Sequence, residues 1–171
     1  MQDVAMSELL ALSGDLPVTT FAPGQVLIEQ GDPPGPLYLL LSGAVTIERG
    51  RLPIATVDHP GAVFGEMSVV LGLPATATAR AASPVEVRVV ADPETFLYER
   101  PGAALAVLRI TAARLDALTQ YLVDVKRRLA DEEGHLGMIG GILDVLVHHQ
   151  GVPTPPSSAH GPGSRTVDAV P

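Results

Sequence analysis

The chain has 171 residues, no cysteine and a formal net charge of −8, with 19 acidic residues against 11 basic ones. Its length suits one domain with appendages, its 46% apolar content excludes wholesale disorder, and no apolar run reaches the roughly 20 residues that a membrane span needs. The lack of cysteine excludes disulfides and thiolate chemistry, and the acidic balance argues against a nucleic-acid partner, whose phosphates call for clustered Lys and Arg.

Residues 4–13 (VAMSELLALS) carry apolar side chains at helical spacing and stop before Gly14, which predicts a short N-terminal helix within residues 1–15. Asp3 and Glu8 stand where a secretory leader would be basic, so a cytoplasmic location is expected. From Val18 to Val90 short β-rich runs recur: VTTF, QVLIEQ, LYLLL, AVTIER, PIATV, TATARA and VEVRVV. Gly, Pro and Asp breaks separate them, a pattern that predicts a compact all-β unit over residues 16–100. In VEVRVV the alternation sets Val85, Val87 and Val89 inward and Glu86 and Arg88 outward.

After Asp92 the period turns helical. Asp92-Pro93-Glu94 reads as an N-cap, a proline in the first turn and an early acid. Pro101 opens a long helical stretch expected to reach residue 133. Along it Leu108, Thr111, Leu115, Leu118, Leu122, Val125 and Leu129 alternate steps of three and four, the spacing of a two-helix seam. A homodimer through this helix is expected; the alternative is that the stripe packs on its own β-unit. Residues 134–150 read as an amphipathic helix weakened by four glycines, with Leu136, Ile139, Leu143 and Leu146 on its apolar face. Residues 151–171, rich in Pro, Gly, Ser and Thr, read as a disordered tail.

One strand-to-helix junction carries chemistry: Phe64-Gly65-Glu66-Met67-Ser68, followed by Leu71-Gly72-Leu73-Pro74-Ala75-Thr76-Ala77-Thr78-Ala79-Arg80-Ala81. Gly65 lets backbone come close to a ligand, amides from Glu66 to Ser68 open a short helix, and the Glu66 carboxylate can accept a hydrogen bond from a ribose hydroxyl. Over residues 16 to about 131 the chain resembles a cyclic nucleotide-binding domain of the catabolite-activator and protein-kinase-A regulatory type. The resemblance rests on FAPGQVLIEQGDPPGPLYLLLSGAVTI, the cassette FGEMSVVLGLPATATARA, the strand VEVRVV and the helix pair ending in AARL. It implies a mainly β fold with flanking α elements: an antiparallel, jelly-roll-like β-roll with an N-terminal helix and a long C-terminal dimerising helix. By the same resemblance Gly65 and Glu66 take the family's Gly-Glu pair, with Met67 and Ser68 beside them in the cassette. Thr76 falls where a hydroxyl residue helps hold a cyclic phosphate, and Thr119 and Gln120 fall where the long helix meets the base. The implied ligand is cyclic AMP, another cyclic nucleotide or a nucleoside.

The family's cassette ordinarily reads Pro-Arg-Thr/Ser-Ala, its arginine pairing with the cyclic phosphate; here the sequence is Pro74-Ala75-Thr76-Ala77. Loss of one member of a buried charge pair typically costs about 2–5 kcal/mol. Arg80 lies an odd number of residues further on, so a regular strand points it to the other side, about 16 Å along. Three states of the pocket remain open: altered cyclic-nucleotide binding, a vestigial pocket, or a neutral nucleoside-like ligand suited to Glu66 without the cation.

No nucleophile–base pair, phosphate-cradling glycine loop or carboxylate dyad is present, so an enzyme is not expected. His148-His149 lack the partners of a metal site and no metal is expected. Lys126-Arg127-Arg128 reads as a solvated face near a helix end, and the segment after the long helix has no room for a basic three-helix DNA reader. The expected function is a stand-alone ligand-sensing regulatory domain, without nucleic-acid or membrane contact, acting on an unidentified protein partner. The alternative is a constitutive dimeric interaction module with a vestigial pocket.

Overall fold

The computed structural model describes residues 2–130, with side chains to Arg128. The Leu129 side chain, the helix expected over 134–150, the tail over 151–171 and His148-His149 lie outside what is described. The first compact unit runs to Leu118 and the second begins at Thr119.

Helix α1 (Gln2–Leu12) precedes eight short strands: β1 (Val18–Phe21), β2 (Val26–Ile28), β3 (Leu37–Ser42), β4 (Val45–Arg49), β5 (Leu52–Val57), β6 (Val63–Phe64), β7 (Thr78–Ala81) and β8 (Val85–Val90). Helix α2 (Glu66–Leu71) interrupts them after β6, and helices α3 (Pro93–Glu99) and α4 (Pro101–Ala130) follow. The strands form two four-stranded antiparallel sheets, ordered β1-β8-β3-β6 and β2-β7-β4-β5. This is the mainly β, jelly-roll-like architecture that the sequence predicts, with a helix before it and a long helix after it.

One buried cluster draws on both sheets. Leu37, Leu39 and Leu40 of β3 and Val85, Val87 and Val90 of β8 join Leu27 of β2, Val45 of β4 and Ala79 and Ala81 of β7. The alternation expected in β8 is kept at Val85 and Val87, while Val89 is only half-buried. Arg88 points away from the roll, as expected, but into helix α1 rather than solvent: it donates to the Leu10 carbonyl at 2.6 Å and to Ser13 Oγ at 3.3 Å. The parity was legible; the cover over that face was not.

Helix α1 seats Ala5, Met6 and Leu9 in the core. Met6 lies against Gly61, whose φ of 87° and lack of a side chain both matter: a Cβ there would come within 2.6 Å of Met6 Cβ. The last carbonyls of a helix have no partner within it. Here two arginines from distant parts of the chain meet them: Arg88 at Leu10, and Arg100, whose guanidinium donates to the Leu12 carbonyl at 2.5 Å. Arg100 also makes a two-pronged pair with Asp15 at 2.7 and 2.6 Å.

Helix α3 starts as read: the Asp92 carboxylate accepts from the Thr95 amide at 3.1 Å and Pro93 occupies the first turn. Helix α4 buries Ala103, Ala106, Val107 and Ile110 against the core cluster. Leu108, Leu115 and Leu118 lie on another face, about 100° around the helix, and are exposed. Within the first unit the stripe therefore does not pack on its own β-roll, because a different face of the helix does. No helix among the described residues is long and apolar enough to cross a membrane.

The Arg100 hydrogen bond holds the Asp15 carboxyl down at about 2, from an ordinary value of 3.8. A depressed carboxyl contributes stability above its unfolded pKa and loses it as pH falls through the folded one. Asp15→Asn should therefore lower the thermal midpoint at neutral pH, and the gap to the natural protein should close as pH drops from about 4 towards 2. A pH series of melting curves on both proteins checks it. A gap that persists unchanged at pH 2 would rule out this pairing as its source.

Candidate functional site

Strand β6 ends at Phe64 and the chain must turn at once into α2. Gly65 makes the turn with φ 93°, and a Cβ on it would lie 2.9 Å from the Pro36 carbonyl and 3.3 Å from Ile28 Cδ1. The tight turn delivers Glu66 into the first turn of α2 with its side chain only 7% exposed. A second αL glycine, Gly72, ends α2 after six residues, and its amide bonds to the Ser68 carbonyl. The following loop is pinned through Ala75: its amide donates to the Asp32 carbonyl and its carbonyl accepts from the Gly31 amide, both at 2.8 Å.

These elements line an open cavity of about 340 Å³. Its walls are Ile28, Ile47, Ala55, Val57 and Ala79 from the second sheet, Val63 and Phe64 from β6, and the stretches Gly65–Ser68 and Ala75–Ala77. Gly65, Glu66, Met67, Ser68, Ala75 and Thr76, the cassette residues singled out in the sequence, are thus brought together on one cavity. Ser68 and Ala75 are buried, while Met67 and Thr76 are exposed. Thr119 and Gln120 belong to the second unit, and the cavity is built from residues of the first. Arg80 is turned to the other face of β7, where it meets Glu48 at 3.4 Å and the Gly24 carbonyl at 2.9 Å.

One functional residue was not singled out in the sequence. Arg114, from α4, enters the cavity wall and donates to Glu66 Oε1 at 2.5 Å and to the Val63 carbonyl at 2.9 Å. Its signal was positional: it continues the buried stripe of Ala103, Ala106 or Val107 and Ile110, so the helix period aims it at the roll. A cation closing an otherwise apolar stripe needs a buried acceptor, and Glu66 is one.

Burial pushes the Glu66 carboxyl up, and the Arg114 charge, a backbone hydrogen bond and the Arg114 hydrogen bond all act against that rise. Burial is the larger effect, because α2 and β6 take most of the water from the carboxylate while Arg114 keeps about a third of its own side chain in solvent. One carboxylate oxygen is taken by Arg114, which leaves acceptor capacity for a hydroxyl entering the cavity. Among the described residues no cluster of His, Asp and Glu could hold a metal ion.

A group whose folded pKa is raised favours the protonated form as pH falls, so the cost of its buried charge is present above that pKa and relieved below it. Glu66→Gln should accordingly melt no lower than the natural protein at neutral pH. Its advantage should shrink as pH falls through the raised pKa towards the ordinary value of 4.5, where the natural carboxyl is itself neutral. Paired melting curves across that range test it; a variant that melts lower at neutral pH and gains on acidification would reverse the sign.

Residues 18–97 match the family description Cyclic nucleotide-binding domain. The chain is 31% identical over 132 residues to a CRP-like cAMP-activated global transcriptional regulator of Mycobacterium tuberculosis, an alignment covering 72% of this chain and 58% of the regulator. The chain thus spans little more than half of that relative. It is similar to the N-terminal domain of a transcriptional regulator from Streptomyces coelicolor A3(2), with 30% identity and a TM-score of 0.50, covering 66% of this chain and 84% of that one. The catabolite activator protein of Thermus thermophilus shares the fold at 22% identity and a TM-score of 0.54, covering 85% of this chain and 80% of that one.

Proposed function

Since this chain belongs to the cyclic nucleotide-binding domain family through residues 18–97, we propose that it is a regulatory domain sensing a nucleotide or nucleoside ligand at Glu66. The observation that carries this reading is the pair between Glu66, in the cavity, and Arg114, on α4. A ligand hydroxyl that bonds to Glu66 shares that carboxylate with Arg114, so occupancy of the cavity changes the hold on the long helix. A ligand shifts such an equilibrium only as far as it binds two states unequally, and competition for one carboxylate supplies that inequality.

The output surface is α4 itself. In the first unit its exposed Leu108, Leu115 and Leu118 suit a second copy of the chain. In this reading the domain acts in the cytoplasm as a homodimer, has no catalytic role, contacts no nucleic acid, and signals to a separate protein. Its net charge of −8 supports the absence of a DNA contact. A second reading, a constitutive dimeric interaction module, is favoured by the outer face of α2 and the loop after it. There Val70, Leu71 and Leu73 are all more than half exposed.

The test is calorimetric titration of the chain with cyclic AMP, cyclic GMP and adenosine, alongside hydrogen exchange of residues 103–118. Binding by at least one, lost in Glu66→Ala, is expected, with α4 amides exchanging more slowly in the bound state. In Arg114→Gln the ligand should still bind but leave α4 exchange unchanged. Silence towards all three supports the constitutive module instead. Sedimentation of Leu115→Glu should yield a monomer if the seam is the dimer contact.

A further inference from the structure

Resting on the reading of this cavity as a ligand site, we infer that its ligand is uncharged: a molecule with an apolar or aromatic body and a hydroxyl pair, of which a free nucleoside is the simplest case, in preference to a cyclic phosphodiester.

The first ground is the charge balance of the walls. The lining holds one carboxylate, Glu66, and one guanidinium, Arg114, and these face each other at 2.5 Å. Arg114 spends its second amino group on the Val63 carbonyl. The two charges cancel, and both are held by β6 and α2, the side that would meet ligand hydroxyls. An anionic ligand would add an uncompensated charge to a space otherwise walled mainly by apolar side chains, with the hydroxyls of Ser68 and Thr76 as its further polar side chains.

The second ground lies at the opposite wall. Ala75 presents a methyl group that is 7% exposed, and its amide is already donated to the Asp32 carbonyl. Neither its side chain nor its N–H is available to an anion. Behind Ala75 lies a smaller cavity of about 130 Å³, sharing Ile28, Gly65, Ser68 and Ala75 with the first and lined on its far side by Asp32 and Tyr38. A phosphate brought to Ala75 would meet a methyl group and a committed amide, whereas a neutral ligand needs no cation there and keeps the hydroxyl bond to Glu66.

The experiment is calorimetric titration of the full chain with adenosine, guanosine, cyclic AMP and cyclic GMP, repeated on Ala75→Arg with melting curves to confirm that the variant is folded. The natural protein should bind a nucleoside at least about tenfold more tightly than the matching cyclic nucleotide, the scale of one charged hydrogen bond. Ala75→Arg should reverse that order. If the natural protein binds the cyclic nucleotide more tightly, the inference falls while the sensing reading stands. If it binds none of the four but Ala75→Arg takes up a cyclic nucleotide, the inference falls and the cavity is vestigial. If neither protein binds anything, the sensing reading falls with it. Should Ala75→Arg fail to fold, the order of affinities in the natural protein decides alone.

Discussion

The site depends on one costly placement, a glutamate carboxylate buried at the wall of an apolar cavity. A buried charge without a partner is among the most destabilising features a fold can carry. Glu66 is kept there by Arg114, and Arg114 is a residue of the long helix. The partner of the buried carboxylate therefore comes from α4 and not from the β-roll. Small residues at Ala103 and Ala106 let α4 come close enough to the core for an arginine about two to three turns later to reach Glu66. Gly65 is needed at the other end, because the turn that aims Glu66 leaves no space for a side chain.

Three other arginines of the first unit, Arg88, Arg100 and Arg109, tie helix α1 to the rest of it. Arg88 and Arg100 meet the carbonyls at the end of α1, and Arg109 of α4 reaches Glu8 of α1 at 3.2 Å. The Arg109 pair is exposed, so its worth is small, about 0–1 kcal/mol. Its consequence is geometric: α4 is linked to the cavity at Arg114 and to α1 at Arg109. A displacement of α4 is thus felt at both ends of the domain.

Most of the strands were legible because Gly, Pro and Asp breaks frame short alternating runs, and the cap of α3 was legible because Asp92 and Pro93 have local roles. Strand β6 was not, since two residues, Val63 and Phe64, carry no period. The cassette was legible through its order of residues, and the structure sets Gly65, Glu66, Ser68, Ala75 and Thr76 around one cavity. Arg114 was hidden because its meaning depends on a partner 48 residues away, which no local pattern records. The cover over Arg88 was hidden for the same reason: an outward position on a strand tells which way a side chain points, and the helix lying there comes from another part of the chain.

Helix α4 carries two surfaces about 100° apart, one holding the core and Arg114, the other exposing Leu108, Leu115 and Leu118. A helix is stiff along such a distance, so a force applied to one surface turns or shifts the other. The Glu66–Arg114 pair and the leucine stripe are thus carried by one element. Ala75 carries only a methyl group at the cavity wall, and the Glu66–Arg114 link is built by other elements, α2 and α4.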